Sequence, residues 1–123
     1  MTTRETGQTF ETIARTQLEQ AGLKFIAGNV SFRFGELDLI MRDGELLVFV
    51  EVRYRRNSRF GGGLLSVTGA KQRRIALAAS AWLVENPHQA QRACRFDVIA
   101  IGGDEQSPEI NWVKAAFTLD DLG

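Results

Sequence analysis

The run GELDLIMRDGELLVFVEVRYRR, residues 35–56, constrains the fold more than any other part of the chain. It reads as two β-strands around a tight turn, dense in strand formers (Leu37, Leu39, Ile40, Leu47, Val48, Phe49, Val50, Val52). Acids stand where a packed hairpin would carry apolar residues: Asp38 in the first strand and Glu51 in the second, with Arg53 completing a Glu-x-Arg pattern. A carboxylate in a largely buried strand is costly unless it is paired, protonated or bound to a cation. Asp43-Gly44 signals a type I′ turn. With those two residues as the loop, Arg42 faces Glu45, Asp38 faces Phe49 and Glu36 faces Glu51. Asp38 and Glu51 are then diagonal neighbours, roughly 7–8 Å apart at the backbone. Alternation places Glu36, Asp38, Glu51 and Arg53 on one face. Two arrangements relieve that crowding of charge. One is a divalent cation, since Mg²⁺ is typically held by one or two carboxylates. The other is an ordinary cross-strand network in which Arg53 neutralises Glu51.

A chain of 123 residues, 44% of them hydrophobic, supports one core rather than two, so residues 1–123 are expected to form a single domain. The sequence holds no apolar run of membrane-spanning length, and MTTRETGQTF lacks the apolar segment of a secretory signal. The single cysteine, Cys94, excludes an internal disulfide and suits the reducing cytoplasm. It precedes an apolar strand and is expected to be a small core residue. With one histidine, His88 in a polar loop, and one cysteine, an ordinary zinc site is excluded. Formal net charge is zero, but its distribution is uneven. No acid occurs between Val52 and Val84, a stretch that carries Arg53, Arg55, Arg56, Arg59, Lys71, Arg73 and Arg74. Such a block, placed after a carboxylate pair, suits a phosphate backbone; it also suits a solvated surface.

The remaining elements follow from periodicity. Phe10, Ile13, Ala14, Leu18 and Ala21 mark a helix over residues 3–21, closed by Gly22. Residues 23–34 read as a strand bent at Gly28-Asn29. Residues 55–66 read as a Gly- and Arg-rich loop. A second helix runs from about Thr68 to Glu85 with Ile75, Ala78, Ala79, Trp82 and Leu83 on its buried stripe, and Asn86-Pro87 ends it. Residues 95–101 and 109–117 complete a mixed sheet, giving an α/β chain of order α-β-β-β-α-β with a short further strand.

Asp followed thirteen positions later by Glu-x-Lys/Arg resembles the D…ExK signature of the restriction-endonuclease-like superfamily. More closely, TGQTFETIA, GELDLI, FVEVRYRR, SVTGAKQ and RFDVIAI, in this order and spacing, resemble the YraN-like family, an uncharacterised bacterial group similar to Holliday-junction resolvases. The resemblance implies a restriction-endonuclease-like core and a metal-dependent phosphodiesterase centre. It implies that Asp38, Glu51 and the backbone carbonyl of Val52 hold Mg²⁺ or Mn²⁺. It also matches Glu11 to an acid that resolvase-like members carry on the first helix. Glu11 reads equally as a helix-flank carboxylate.

Arg53 departs from the superfamily's lysine. Arginine stays charged and cannot act as a base, although it can bind a phosphate and stabilise developing charge. Lys71 extends the helical series 71, 75, 78, 82 to the first turn of the second helix, where a cation opposes the helix dipole unless an anion is near. It is either a site residue or a side chain that reaches out to solvent. Glu36 and Arg33 are expected to stand behind the acids, Glu36 as a partner for Arg33 or Arg53. Asp97 matches a family position; a salt bridge to Arg95 or Arg74 explains it as well. Arg55, Arg56, Arg59, Lys71 and Arg74 are the candidate nucleic-acid contacts.

The expected function is a Mg²⁺-dependent endonuclease-like activity on the DNA backbone, at branched structures. The alternative is a nucleic-acid-binding protein that kept the fold and lost the chemistry, for which Arg53 is the main support. A third reading is an interaction module that pairs through its C-terminal segment INWVKAAFTL. A resolvase-like task needs two sites on one junction and so implies a homodimer.

Overall fold

The computed structural model describes residues 3–54, 67–103 and 106–118, with side chains of the first helix described from Phe10 onward. Helix α1 (Thr3–Gln20) leads into strands β1 (Lys24–Phe32), β2 (Gly35–Asp43) and β3 (Leu46–Tyr54). Helix α2 (Gly69–Glu85) then crosses to β4 (Cys94–Gly103), and β5 (Pro108–Phe117) follows. The five strands form one sheet in the order β1-β2-β3-β4-β5. Only β3 and β4 run parallel, the pair that needs a helical crossover; all other neighbours are antiparallel. The expected mixed α/β order is the one observed.

Each helix covers one face of the sheet. Phe10, Ala14 and Leu18 recur every four residues on α1 and bury against Leu39, Met41, Val48, Val50, Ile99 and Ile101. On the other face, Ile75, Ala78, Ala79 and Trp82 of α2 pack on Ile40, Leu47, Phe49, Phe96 and Val98. There Phe49 stacks on Phe96 (centroids 5.5 Å) and Phe96 on Phe117 (4.9 Å), while Trp82 meets Phe49 edge-on at 84°. No helix among the described residues is long and apolar enough to cross a membrane.

The helix ends follow from their capping residues. After α1, Gly22 takes φ 98°, and the Leu23 and Gly22 amides return to Leu18 and Glu19 at 3.0 Å, a Schellman closure. Thr68 caps α2 by accepting from the Lys71 amide at 3.2 Å. Asn86 closes the helix, its side-chain amide donating to the Trp82 carbonyl at 2.9 Å. Gly35 lets β2 start close against α2: a Cβ there would stand 3.1 Å from the Arg74 carbonyl oxygen. Because the Thr68 cap fixes the turn that carries Lys71, Thr68→Ala is expected to cost about 1 kcal/mol in urea unfolding and to loosen Lys71.

Two expectations need correction. The hairpin loop is Gly44-Glu45 rather than Asp43-Gly44, because Asp43 pairs with Leu46. Gly44 has φ 61° and Glu45 does not enter positive φ, the sign pattern of a II′ turn rather than I′. Cys94 is exposed rather than a core residue. It enters β4 at the sheet margin opposite Leu47, and its thiol lies 3.7 Å from the Arg92 carbonyl.

Candidate metal and phosphate site

The corrected turn moves the β2–β3 register. Pairing runs from Asp43↔Leu46 to Leu39↔Val50, and one further step sets Asp38 opposite Glu51 instead of Phe49. The backbone ladder stops at that point. In its place the Asp38 carboxylate crosses to β3 and accepts the Val52 amide at 2.9 Å. Side-chain alternation also breaks here, since Leu37 packs under α2 while Leu39 packs under α1. The sharing of one face by Glu36, Asp38, Glu51 and Arg53 therefore does not extend to Glu36. That residue is exposed and paired across β1–β2 with Ser31, whose hydroxyl donates to it at 3.2 Å.

Glu51 is 5% exposed, and its carboxyl shares a hydrogen bond with that of Asp38. Burial raises both groups. The Asp38 charge pushes Glu51 further, to about 7, while the Val52 amide and the proton shared with Glu51 moderate the rise at Asp38. Two cations converge on one oxygen of Glu51: Lys71 Nζ and an Arg53 guanidinium nitrogen, each 3.4 Å from Oε1. The anion that the first turn of α2 requires is thus Glu51. Lys71 keeps 38% of its side chain exposed while making that contact, so it both pairs inward and remains reachable.

Glu11 approaches from α1. Burial raises its pKa, and the charges of Asp38 and Glu36 raise it further, while a hydrogen bond with Asn29 opposes the rise. Asn29 sits at φ 52° in β1, a conformation that asparagine tolerates better than most residues. Sequence reasoning did not single out Asn29 as a partner; the Gly28-Asn29 dipeptide inside a strand was its only signal. Arg33 is exposed in the turn between β1 and β2, and Arg74 is exposed on α2. Arg55, Arg56 and Arg59 lie outside the described residues.

Asp97 belongs to a separate network. It is fully buried and accepts four hydrogen bonds: Arg95 Nε at 2.8 Å and Nη2 at 3.0 Å, the Trp112 indole at 2.9 Å and the Ala115 amide at 2.9 Å. Those four bonds fill the acceptor capacity of a carboxylate, so its role is to tie β4 to β5. Arg95 is the partner rather than Arg74, and it also reaches Asp43 at 3.3 Å.

The sequence pattern of the uncharacterised protein family UPF0102 matches residues 10–101, which include every acid and cation of the described cluster. The chain belongs to the UPF0102 family. A UPF0102 protein of Xanthomonas campestris pv. campestris (strain B100) is 54% identical over 115 residues, covering 94% of this chain and 93% of its own. One from Yersinia pseudotuberculosis serotype O:1b (strain IP 31758) is 51% identical over 121 residues, covering 98% of this chain and all of its own. The YraN-like resemblance read from the motifs is therefore settled at the level of the UPF0102 family.

The donor chemistry of this UPF0102 cluster fits a hard divalent cation. Two adjacent carboxylates, Glu51 buried and Asp38 half-buried, each held above its ordinary pKa, gain most from a charge that takes oxygen ligands. Without one, ionising Glu51 opposes folding. Its folded pKa of about 7 exceeds the ordinary 4.5, so its contribution to stability is complete below 4.5 and is lost as pH rises through 7. Urea unfolding without added metal should therefore show stability falling by about 2–3 kcal/mol from pH 5 to pH 8. Glu51→Gln should remove most of that slope.

Proposed function

We propose that this protein is a divalent-metal-dependent endonuclease-like enzyme acting on the DNA phosphodiester backbone, in the manner of Holliday-junction resolvases, with branched DNA as the favoured substrate. The observation that carries this reading is the Asp38–Glu51 pair at the point where β2 and β3 part, with Arg53 and Lys71 on the same Glu51 oxygen. Asp38, Glu51 and the Val52 carbonyl would hold Mg²⁺ or Mn²⁺. Such an ion, when bound, supplies Lewis-acid polarisation of the phosphate and acidifies water.

The chain's own residues provide the rest. Lys71, part exposed in the first turn of α2, would turn from Glu51 to an incoming phosphate oxygen, where the helix N-terminus favours the same charge. Arg53 stays cationic and would bind a phosphate oxygen and offset charge that develops there. Glu11, raised above the ordinary carboxylate range, is the side chain suited to receive a proton from water in place of the superfamily lysine. Arg55, Arg56, Arg59 and Arg74 would track the backbone on either side.

Incubating the protein with four-way, flap and duplex DNA under Mg²⁺ or Mn²⁺ tests the reading. Metal-dependent cleavage that disappears on Asp38→Asn supports it. Full activity in the Asp38→Asn/Glu51→Gln variant would defeat it. The fixed charge of Arg53 favours one second reading, a nucleic-acid-binding protein without chemistry. That reading predicts intact DNA under every metal and an affinity that falls linearly with log salt.

A further inference from the structure

Beside the acid cluster, between α1 and β1, lies an open cavity of about 380 Å³, within the size range of small-ligand sites. Phe25 forms one wall, and the Arg15 guanidinium lies over its ring at 3.6 Å. Leu39 lines the cavity, and Asn29 and Glu11 supply its polar rim. Gly28 lines it without a side chain: a Cβ there would make ordinary contact, 3.4 Å from the Phe25 ring and 3.5 Å from the Asp38 carbonyl oxygen. The cavity therefore adjoins the fork that carries Asp38, and Glu11 belongs to both.

We propose that this cavity receives an unstacked nucleobase of the strand held at the acid cluster, an inference that rests on the nuclease reading. A flat ligand suits it better than a phosphate. Arg15 is already paired with Glu19 at 3.3 Å, and Glu11 places negative charge on the rim. What Arg15 still offers is a planar cation, backed by an aromatic ring and 43% exposed. Bases splayed out of a strand stack on such guanidinium planes. The Asn29 amide and the Glu11 carboxyl can then hydrogen-bond a base edge. A substrate with an unpaired base, such as a flap or a single strand, fills the cavity at the least unstacking cost.

Deoxyadenosine and deoxyribose 5-phosphate, titrated separately into the isotopically labelled full chain and followed by NMR, decide the matter. The nucleoside should shift the Gly28 and Asn29 amides saturably, and the sugar phosphate should not. Arg15→Ala should weaken the nucleoside about tenfold or more, the loss expected for one stacked base. Gly28→Leu, which fills the space at a backbone conformation open to L side chains, should block it. Unmoved Gly28 and Asn29 amides, equal response to the sugar phosphate, or unchanged affinity in Arg15→Ala would overturn the proposal. DNA cleavage by the unmutated chain, assayed beside the nucleoside titration, separates the two ideas. If DNA stays intact under every metal while the nucleoside shifts persist, the nuclease reading falls and the base site stands. If metal-dependent cleavage holds while the nucleoside shifts are absent, the base site alone falls.

Discussion

The Asp38→Asn/Glu51→Gln variant is expected to lose saturable Mg²⁺ and Mn²⁺ binding in calorimetric titration, a weakening of at least about a hundredfold, while remaining folded. Asparagine retains a carbonyl oxygen that can accept the Val52 amide, which Asp38 now accepts at 2.9 Å. Glutamine removes a carboxylate that burial and the Asp38 charge make costly to ionise. Lys71 and Arg53 lose their shared partner, but with 38% and 24% of their side chains exposed they can hydrate. Lost metal binding should thus accompany equal or higher stability at pH 8, a combination that misfolding cannot produce. Retained binding in the double variant would place any metal elsewhere.

Asp97→Ala is expected to destabilise the chain by about 3–5 kcal/mol, because it leaves a buried charge network without its centre. Arg95, 15% exposed, keeps only Asp43; the Trp112 indole and the Ala115 amide lose their acceptor. Ala115 holds φ 51°, so the bond that keeps β5 in this unusual conformation goes as well. Set against a typical domain stability of about 5–15 kcal/mol, the loss brings the variant near unfolding. Urea denaturation at constant pH measures it directly. A cost under about 1 kcal/mol would mean that β5 is held mainly by the Phe96–Phe117 stack and the backbone ladder.

The order of elements was legible because strand formers, helical spacing and capping residues agree along most of the chain. Thr68, Gly22 and Asn86 end helices where their chemistry predicts. The acids of the cluster were legible for the opposite reason: Asp38 and Glu51 violate the pattern around them. Lys71 followed from the 71, 75, 78, 82 series, which extends α2's buried stripe to its first turn. Register was not legible, because an Asp-Gly pair can supply the central residues of a I′ turn or only the first central glycine of a II′ turn. That choice turned a diagonal carboxylate pair into a facing one. The fourfold coordination of Asp97 was also hidden, since Trp112 and Ala115 reach it only through the β4–β5 pairing. Cys94 misled because an apolar strand follows it, whereas burial depends on how far that strand lies inside the sheet margin.

The parting of β2 and β3 at Asp38 separates two properties that share the same strands. Five consecutive residue pairs, from Leu39↔Val50 to Asp43↔Leu46, remain joined by backbone bonds and sandwiched by both helices. Beyond them the strands are joined by a side chain whose bonding depends on its own ionisation. The strands can therefore open locally at the acid cluster, and the cluster reset its charge, at a free-energy cost below that of undoing the paired core.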